Sequence, residues 1–134
     1  MGNPVSVLCV DDSPSLQQMV AFILKKAGFE PLAASNGREG IEKAKTLKPD
    51  LILMDIMMPD ISGIQAIKHI KADPQCQHIP ILVLSAYGSR KVVDQALEAG
   101  AAAFLEKTVF PEELVETIKT HLKQNESSAK PTSA

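Results

Sequence analysis

The stretch that most constrains this chain is Leu51-Ile52-Leu53-Met54-Asp55-Ile56-Met57-Met58-Pro59-Asp60-Ile61-Ser62-Gly63, an apolar run that ends on a lone carboxylate and then turns. Apolar residues without polar alternation, bounded by Pro49-Asp50 and by Pro59 and Gly63, are what a strand covered on both faces requires. Strands of that kind belong to parallel sheets, whose reaction sites lie at the carboxyl edge. Asp55 is therefore the residue that the rest of the chain is expected to serve.

The remaining residues alternate between strand and helix patterns. Val5 to Val10 is an apolar, β-branched run that reads as a central first strand and delivers Asp11-Asp12 to its end. Ser13 is the expected N-cap of a helix, with Pro14 at its first position. Leu16, Met19, Val20, Ile23, Leu24 and Ala27 form its inward stripe, and Gly28 its stop. Phe29 to Ala34 reads as an edge strand, because Pro31 cannot donate to a ladder. Asn36-Gly37 opens a second helix with Ile41, Ala44 and Leu47 inward, ended by Pro49. A third helix follows Gly63, carries Ile64, Ala66, Ile67 and Ile70, and ends at Asp73-Pro74. Ile79 to Leu84 is the fourth strand and delivers Ser85. Ser89 caps a fourth helix with Val92, Val93, Ala96 and Leu97 inward and Gly100 as its stop. Ala102 to Leu105 is a short fifth strand ending near Glu106-Lys107, and Pro111 starts a last helix striped by Leu114, Val115, Ile118 and Leu122.

Five strands alternating with five helices imply a doubly wound α/β fold with right-handed crossovers. The order 2-1-3-4-5, the flavodoxin-like arrangement with helices on both faces, puts the Pro31 strand at an edge and the most apolar runs inside. Residues 4–123 are expected to form the domain. Gln124 to Ala134 is polar, small and aperiodic, and reads as a disordered tail or linker.

With 134 residues the chain can bury roughly two-thirds of its unfolded surface and needs no staple. Lys+Arg 14 against Asp+Glu 16 gives a net charge of -2 with no basic block, so direct nucleic-acid binding is not expected. No apolar stretch reaches the length of a membrane span, and no targeting segment precedes the first strand; the expectation is a cytoplasmic protein without membrane insertion. Cys9 and Cys76 lack metal or CxxC spacing and are expected to be free thiols. His69, His78 and His121 are scattered, as surface or boundary residues.

In the order 2-1-3-4-5 the first and third strands are neighbours, so Asp11, Asp12 and Asp55 converge across about 4.8 Å. Ser85 and Lys107 arrive from the fourth and fifth strands. Two like charges ~4 Å apart cost on the order of 4 kcal/mol at an effective dielectric near 20, so a positive group must share the site. Lys107 offsets part of the charge. An all-oxygen carboxylate cluster suits a hard divalent cation, Mg²⁺ first and Mn²⁺ as a substitute. A carboxylate so placed can act as a nucleophile on phosphorus, with Ser85 donating to a phosphoryl oxygen.

Asp11-Asp12, the Asp55-Ile56-Met57-Met58-Pro59…Gly63 signature, Ser85 and Lys107 together resemble the receiver domain of two-component response regulators, of the chemotaxis-regulator kind, over about Val5 to Leu122. The resemblance implies that Asp55 is a phosphoacceptor taking a phosphoryl group from a histidine kinase or phosphotransfer protein. It implies that Asp11, Asp12, Asp55 and the Met57 carbonyl serve Mg²⁺, and that Lys107 and Ser85 read the phosphoryl group. It also implies a switch in which Ser85 moves and Phe104 turns inward, reshaping the face of helix 4, strand 5 and helix 5 for a downstream partner. Phosphorylation-dependent dimerisation is an open outcome. Such a protein is a signalling switch rather than an enzyme, acting only on its own phosphoryl group.

One departure stands out: Thr108 follows Lys107 where receivers commonly have a cis proline. A cis bond before a non-proline residue costs roughly 2.5–4 kcal/mol, so this bond is expected to be trans. Met57 and Tyr87 flank the direction of water attack, and their bulk is expected to slow autodephosphorylation. Rival readings are a pseudo-receiver binding partners without phosphorylation, an aspartate-nucleophile phosphatase and a flavin carrier. The phosphatase wants a second acid where this chain has Met57, and the carrier a phosphate loop where it has Asp11-Asp12-Ser13-Pro14.

Overall fold

The computed structural model describes residues 4–86 and 88–129, the side chains of 124–129 excepted. The elements alternate: β1 (Ser6–Val10), α1 (Pro14–Lys26), β2 (Glu30–Ala34), α2 (Gly37–Leu47), β3 (Leu51–Met54), α3 (Gly63–Lys71), β4 (Ile81–Ser85), α4 (Arg90–Ala99), β5 (Ala103–Glu106) and α5 (Pro111–Ala129). The strands are all parallel, in the order β2-β1-β3-β4-β5. This is the flavodoxin-like arrangement expected from the alternation.

Strand periodicity divides the buried residues into two layers. Val7, Cys9, Leu51, Leu53, Leu82 and Leu84 point to one face, where Val20 and Leu24 of α1 and Leu114 and Ile118 of α5 cover them. Leu8, Val10, Ile52, Met54, Ile81 and Val83 point to the other, against Ala44 of α2, Ala66, Ile67 and Ile70 of α3, and Ala96 of α4. β1, β3 and β4 are apolar on both sides because both sides are covered. The β2 edge is guarded: Pro31 offers no donor, and Lys43 Nζ donates to the Ala33 carbonyl at 2.6 Å.

Helix starts follow their caps. Ser13, Asn36, Ser62 and Ser89 each accept a backbone N–H from the first turn of α1, α2, α3 and α4. Gly28 and Gly100 take φ of +91° and +123°, which explains why glycine follows those helices.

Some expectations are corrected and others met. Met19, Leu47 and Leu97 lie at 48, 50 and 44% exposure rather than inward; Met19 lines an open groove between α1 and the start of α5, beside Phe22 and Pro111. β4 begins at Ile81 and includes Ser85, and α3 stops at Lys71, before Asp73. Cys76, in a polar connection, is fully buried, and Cys9 is buried too; both are free thiols. α5 continues as helix to Ala129, past the expected domain end at 123. Once its packed half is nucleated, extending a helix adds one hydrogen bond per residue fixed. Residues 130–134 of the expected tail lie outside the described residues, as does Tyr87. The Lys107–Thr108 bond is trans, since there is no cis peptide bond among the described residues.

Candidate functional site

The sheet register brings the acids together. Val10 pairs with Met54, and the Asp55 N–H donates to the Val10 carbonyl at 3.0 Å, so Asp11 and Asp55 leave adjacent strands at the same level. On the other side Asp11 N–H donates to the Ala34 carbonyl at 3.0 Å. β5 pairs Ser85 with Glu106, and the Lys107 N–H donates to the Ser85 carbonyl at 2.9 Å, extending the ladder by one residue. Continuing the alternation, Asp11, Asp55 and Lys107 share the parity of Cys9, Leu53 and Leu105, the face of α1 and α5. Ser85 shares the parity of Val83, the opposite face, as does Phe104.

That parity is why Lys107 reaches both acids. Its Nζ stands 3.0 Å from Asp11 Oδ2 and 3.4 Å from Asp55 Oδ2. Asp11 and Asp55 are buried at 2 and 5% exposure, and Asp12 is exposed. The remaining oxygens are held by backbone: Ser13 N–H donates to Asp11 Oδ1 at 2.8 Å and Ile56 N–H to Asp55 Oδ1 at 2.9 Å. Burial first, and then the charge of Asp11, push the Asp55 carboxyl above its ordinary value, against the pull of Lys107. Desolvation draws the Lys107 ammonium down, but Asp11 and Asp55 outweigh it and leave its pKa raised.

The donor set fits a hard cation. One carboxylate oxygen from each of Asp11, Asp12 and Asp55 lies within 4.8 Å of the others. Asp11 Oδ2 is buried, and outside its 3.0 Å ion pair with Lys107 it has no hydrogen-bond partner. Three carboxylates with one ammonium leave excess negative charge that a divalent ion would neutralise.

Ser85 is buried beside this edge, at 1% exposure. Phe104 is half-buried against the α2–α4 layer, and a Cβ on Gly88 of the β4–α4 loop would stand 3.3 Å from its ring. The Met57 side chain is exposed. Thus Asp11, Asp12, Asp55 and Lys107 are brought together at the sheet edge, while Ser85 and Phe104 occupy the neighbouring β4–β5 face.

Two residues that shape the site carry little sequence signal. Gln17 Nε2 lies 2.9 Å from the Cys9 carbonyl, 3.0 Å from that of Asp11 and 2.9 Å from that of Ala34. This one amide ties α1 to the ends of β1 and β2. Asp60 reaches from the β3–α3 loop to the N-terminus of α2. Ser62 and Gln65 form a capping box at the start of α3, and its S-x-x-Q spacing is the sequence signal that marks it.

A 2-1-3-4-5 parallel sheet with an acid cluster and a lysine at its carboxyl edge defines a flavodoxin-like α/β protein of the CheY-like kind. The family follows from direct comparison: residues 7–119 match the response regulator receiver domain, and the chain belongs to that family. It is 46% identical over 114 residues to the chemotaxis protein CheY of Thermotoga maritima, covering 84% of this chain and 92% of that protein. It is 31% identical to the polar-differentiation response regulator DivK of Brucella anthropi, over 89% of this chain and 97% of that protein. Among solved structures, a CheY-like receiver domain protein from Methanospirillum hungatei superposes with a TM-score of 0.87 at 29% identity, covering 95% of this chain and all of that one (100%). The chain thus carries the receiver domain of two-component signal transduction. Among the described residues no helix is long and apolar enough to cross a membrane.

Proposed function

We propose that residues 4–123 form a phosphoacceptor receiver in which Asp55 takes a phosphoryl group from the phosphohistidine of a histidine kinase or phosphotransfer protein. The observation that carries this reading is the Lys107 ammonium held between two buried carboxylates, 3.0 Å from Asp11 and 3.4 Å from Asp55. Asp11, Asp12, Asp55 and the Met57 carbonyl would hold Mg²⁺. When bound, it supplies positive charge to the oxygens of the transferring phosphoryl group.

Asp55 acts as the nucleophile. Its carboxylate oxygen forms the new P–O bond, and the P–N bond of the donor breaks with its electron pair remaining on the imidazole. Burial and Asp11 make Asp55 a more basic carboxylate than usual, which favours attack. Lys107 passes from its ion pairs to the phosphoryl oxygens, and Ser85 donates its hydroxyl to another of them. Movement of Ser85 draws Phe104 inward and alters the α4-β5-α5 face for a downstream protein partner. Water attack on phosphorus returns the carboxylate; the bulk of Met57 and Tyr87 slows this step relative to a Met57→Asn, Tyr87→Ala double variant. The switch works in the cytoplasm.

Intact mass after incubation with a small-molecule phosphodonor and Mg²⁺ tests the reading. One phosphate adduct in the wild type and none in Asp55→Asn is expected. Absence of an adduct with any donor or kinase would turn the reading to a partner-binding module that works without phosphorylation.

A further inference from the structure

The segment between Asp55 and α3 is a tight loop held at separate points. Gly63 N–H donates to the Ile56 carbonyl at 2.8 Å and closes its neck. Met58 and Ile61 pack on the α2–α4 core layer. Met57 itself has a side chain 65% exposed, so burial of that side chain does little to fix its backbone.

A further tie is Asp60. Gly37 N–H donates to its Oδ1 at 3.0 Å and Arg38 N–H to its Oδ2 at 2.8 Å, across 23 and 22 residues of sequence. Gly37 and Arg38 open α2, where backbone N–H groups have no intrahelical acceptor. The next N–H, of Glu39, donates to the helix's own cap, Asn36 Oδ1, at 2.9 Å. The N-terminus of α2 is thus shared between its own cap and a carboxylate from a distant loop. The cap serves the Glu39 N–H alone, so the N–H groups of Arg38 and of buried Gly37 take their acceptors from Asp60, and the same two bonds tie the loop to α2. The charge also suits the helix dipole. Desolvation works against the charged form, yet the N–H groups of Arg38, Gly37 and Ile61 outweigh it and hold the carboxyl at about 2, so the tie stays charged at neutral pH.

We propose that Asp60 is a positioning residue for the acid site: by latching the β3–α3 loop to the N-terminus of α2, it sets the place of the Met57 backbone carbonyl. This rests on the reading of that carbonyl as part of the cation site. Asp60 touches none of the reacting atoms.

Mg²⁺ titration of the full chain by calorimetry, beside urea denaturation, tests the assignment. Asp60→Ala is expected to weaken Mg²⁺ binding by about fivefold, with Asp60→Asn, which keeps one acceptor oxygen, in between. Asn36→Ala removes a cap bond from the same helix without touching the loop; it is expected to lower the urea midpoint while leaving Mg²⁺ affinity unchanged. Wild-type affinity in Asp60→Ala, or an equal loss in Asn36→Ala, would overturn the role of Asp60 and leave the acid-site reading standing. A wild-type chain that binds no Mg²⁺ would overturn both.

Discussion

Gly63 lies so close to Asp55 that a Cβ at position 63 would overlap the Asp55 carbonyl oxygen. The Cβ would meet backbone atoms of Asp55 and Ile56, and its own position is fixed by the backbone, so no side-chain rotation relieves the clash. Gly63→Ala is therefore expected to displace either the start of α3 or the end of β3, lowering stability by about 2–3 kcal/mol in urea denaturation. The variant should also take up phosphate more slowly. A midpoint equal to wild type would show that the loop yields freely.

Asp55 makes stability depend on pH in a direction that can be worked out. Its folded pKa is raised, by burial first and then by Asp11. The folded state therefore holds the proton more tightly, and the stability this contributes is lost as pH rises from the ordinary 3.8 through the folded value. At pH 7 without Mg²⁺, Asp55→Asn is expected to be more stable than wild type by on the order of 1 kcal/mol, with the gap closing at acid pH. Lys107 acts at the other end of the scale. Its raised pKa gives stability that is present below 10.5 and lost above it, a loss absent from Lys107→Met. A urea series across pH that finds Asp55→Asn no more stable at neutrality would contradict the raised carboxyl.

Gln17 concentrates three backbone carbonyls on one amide. Gln17→Met keeps the length and removes the donors, and is expected to cost about 1–3 kcal/mol in thermal or urea unfolding. Gln17→Glu should be worse at neutral pH, because an ionised carboxylate sets acceptors against acceptors, and should recover on acidification. Equal stability of the two variants would mean that the donors matter less than the packing.

Cys9 should be chemically silent. It is 4% exposed, and burial, with Asp11 next, pushes its pKa up to about 12. Relative to a thiol at 9.0, that cuts the thiolate fraction roughly a thousandfold at neutral pH. Cys76 is fully buried, its pKa likewise raised. Thiol reagent at mild alkaline pH is expected to label neither in the folded chain and both in urea. Fast labelling of native protein would reveal local opening near β1 or the α3–β4 connection.

Most of the fold was legible because each element announced itself locally. Ser13-Pro14, Asn36, Ser89 and the glycines after α1 and α4 carry their own caps and stops, and Pro31 identified the edge strand. Less was legible at the margins of helices. The same periodicity that places Val20 and Leu24 inward also nominates Met19, whose place in an open groove beside Phe22 and Pro111 depends on where α5 packs. Likewise the polar composition after Lys123 argued for an end of structure, whereas a helix with a packed half continues to Ala129.

From residue types and strand ends alone, the sequence determined that Asp11, Asp12, Asp55, Ser85 and Lys107 would gather at one sheet edge, because parallel strands in the order 2-1-3-4-5 all discharge their last residues there. Tertiary structure decided what each of them faces. Strand parity turns Lys107 toward Asp11 and Asp55 and sets Ser85 and Phe104 on the other side. It also decided what holds the edge in place: Gln17 reaching three carbonyls, and Asp60 reaching two N–H groups of α2. Those ties leave no pattern in the chain, since a hydrogen bond between separate elements, here 6 to 23 residues apart, depends on where folding has carried the backbone.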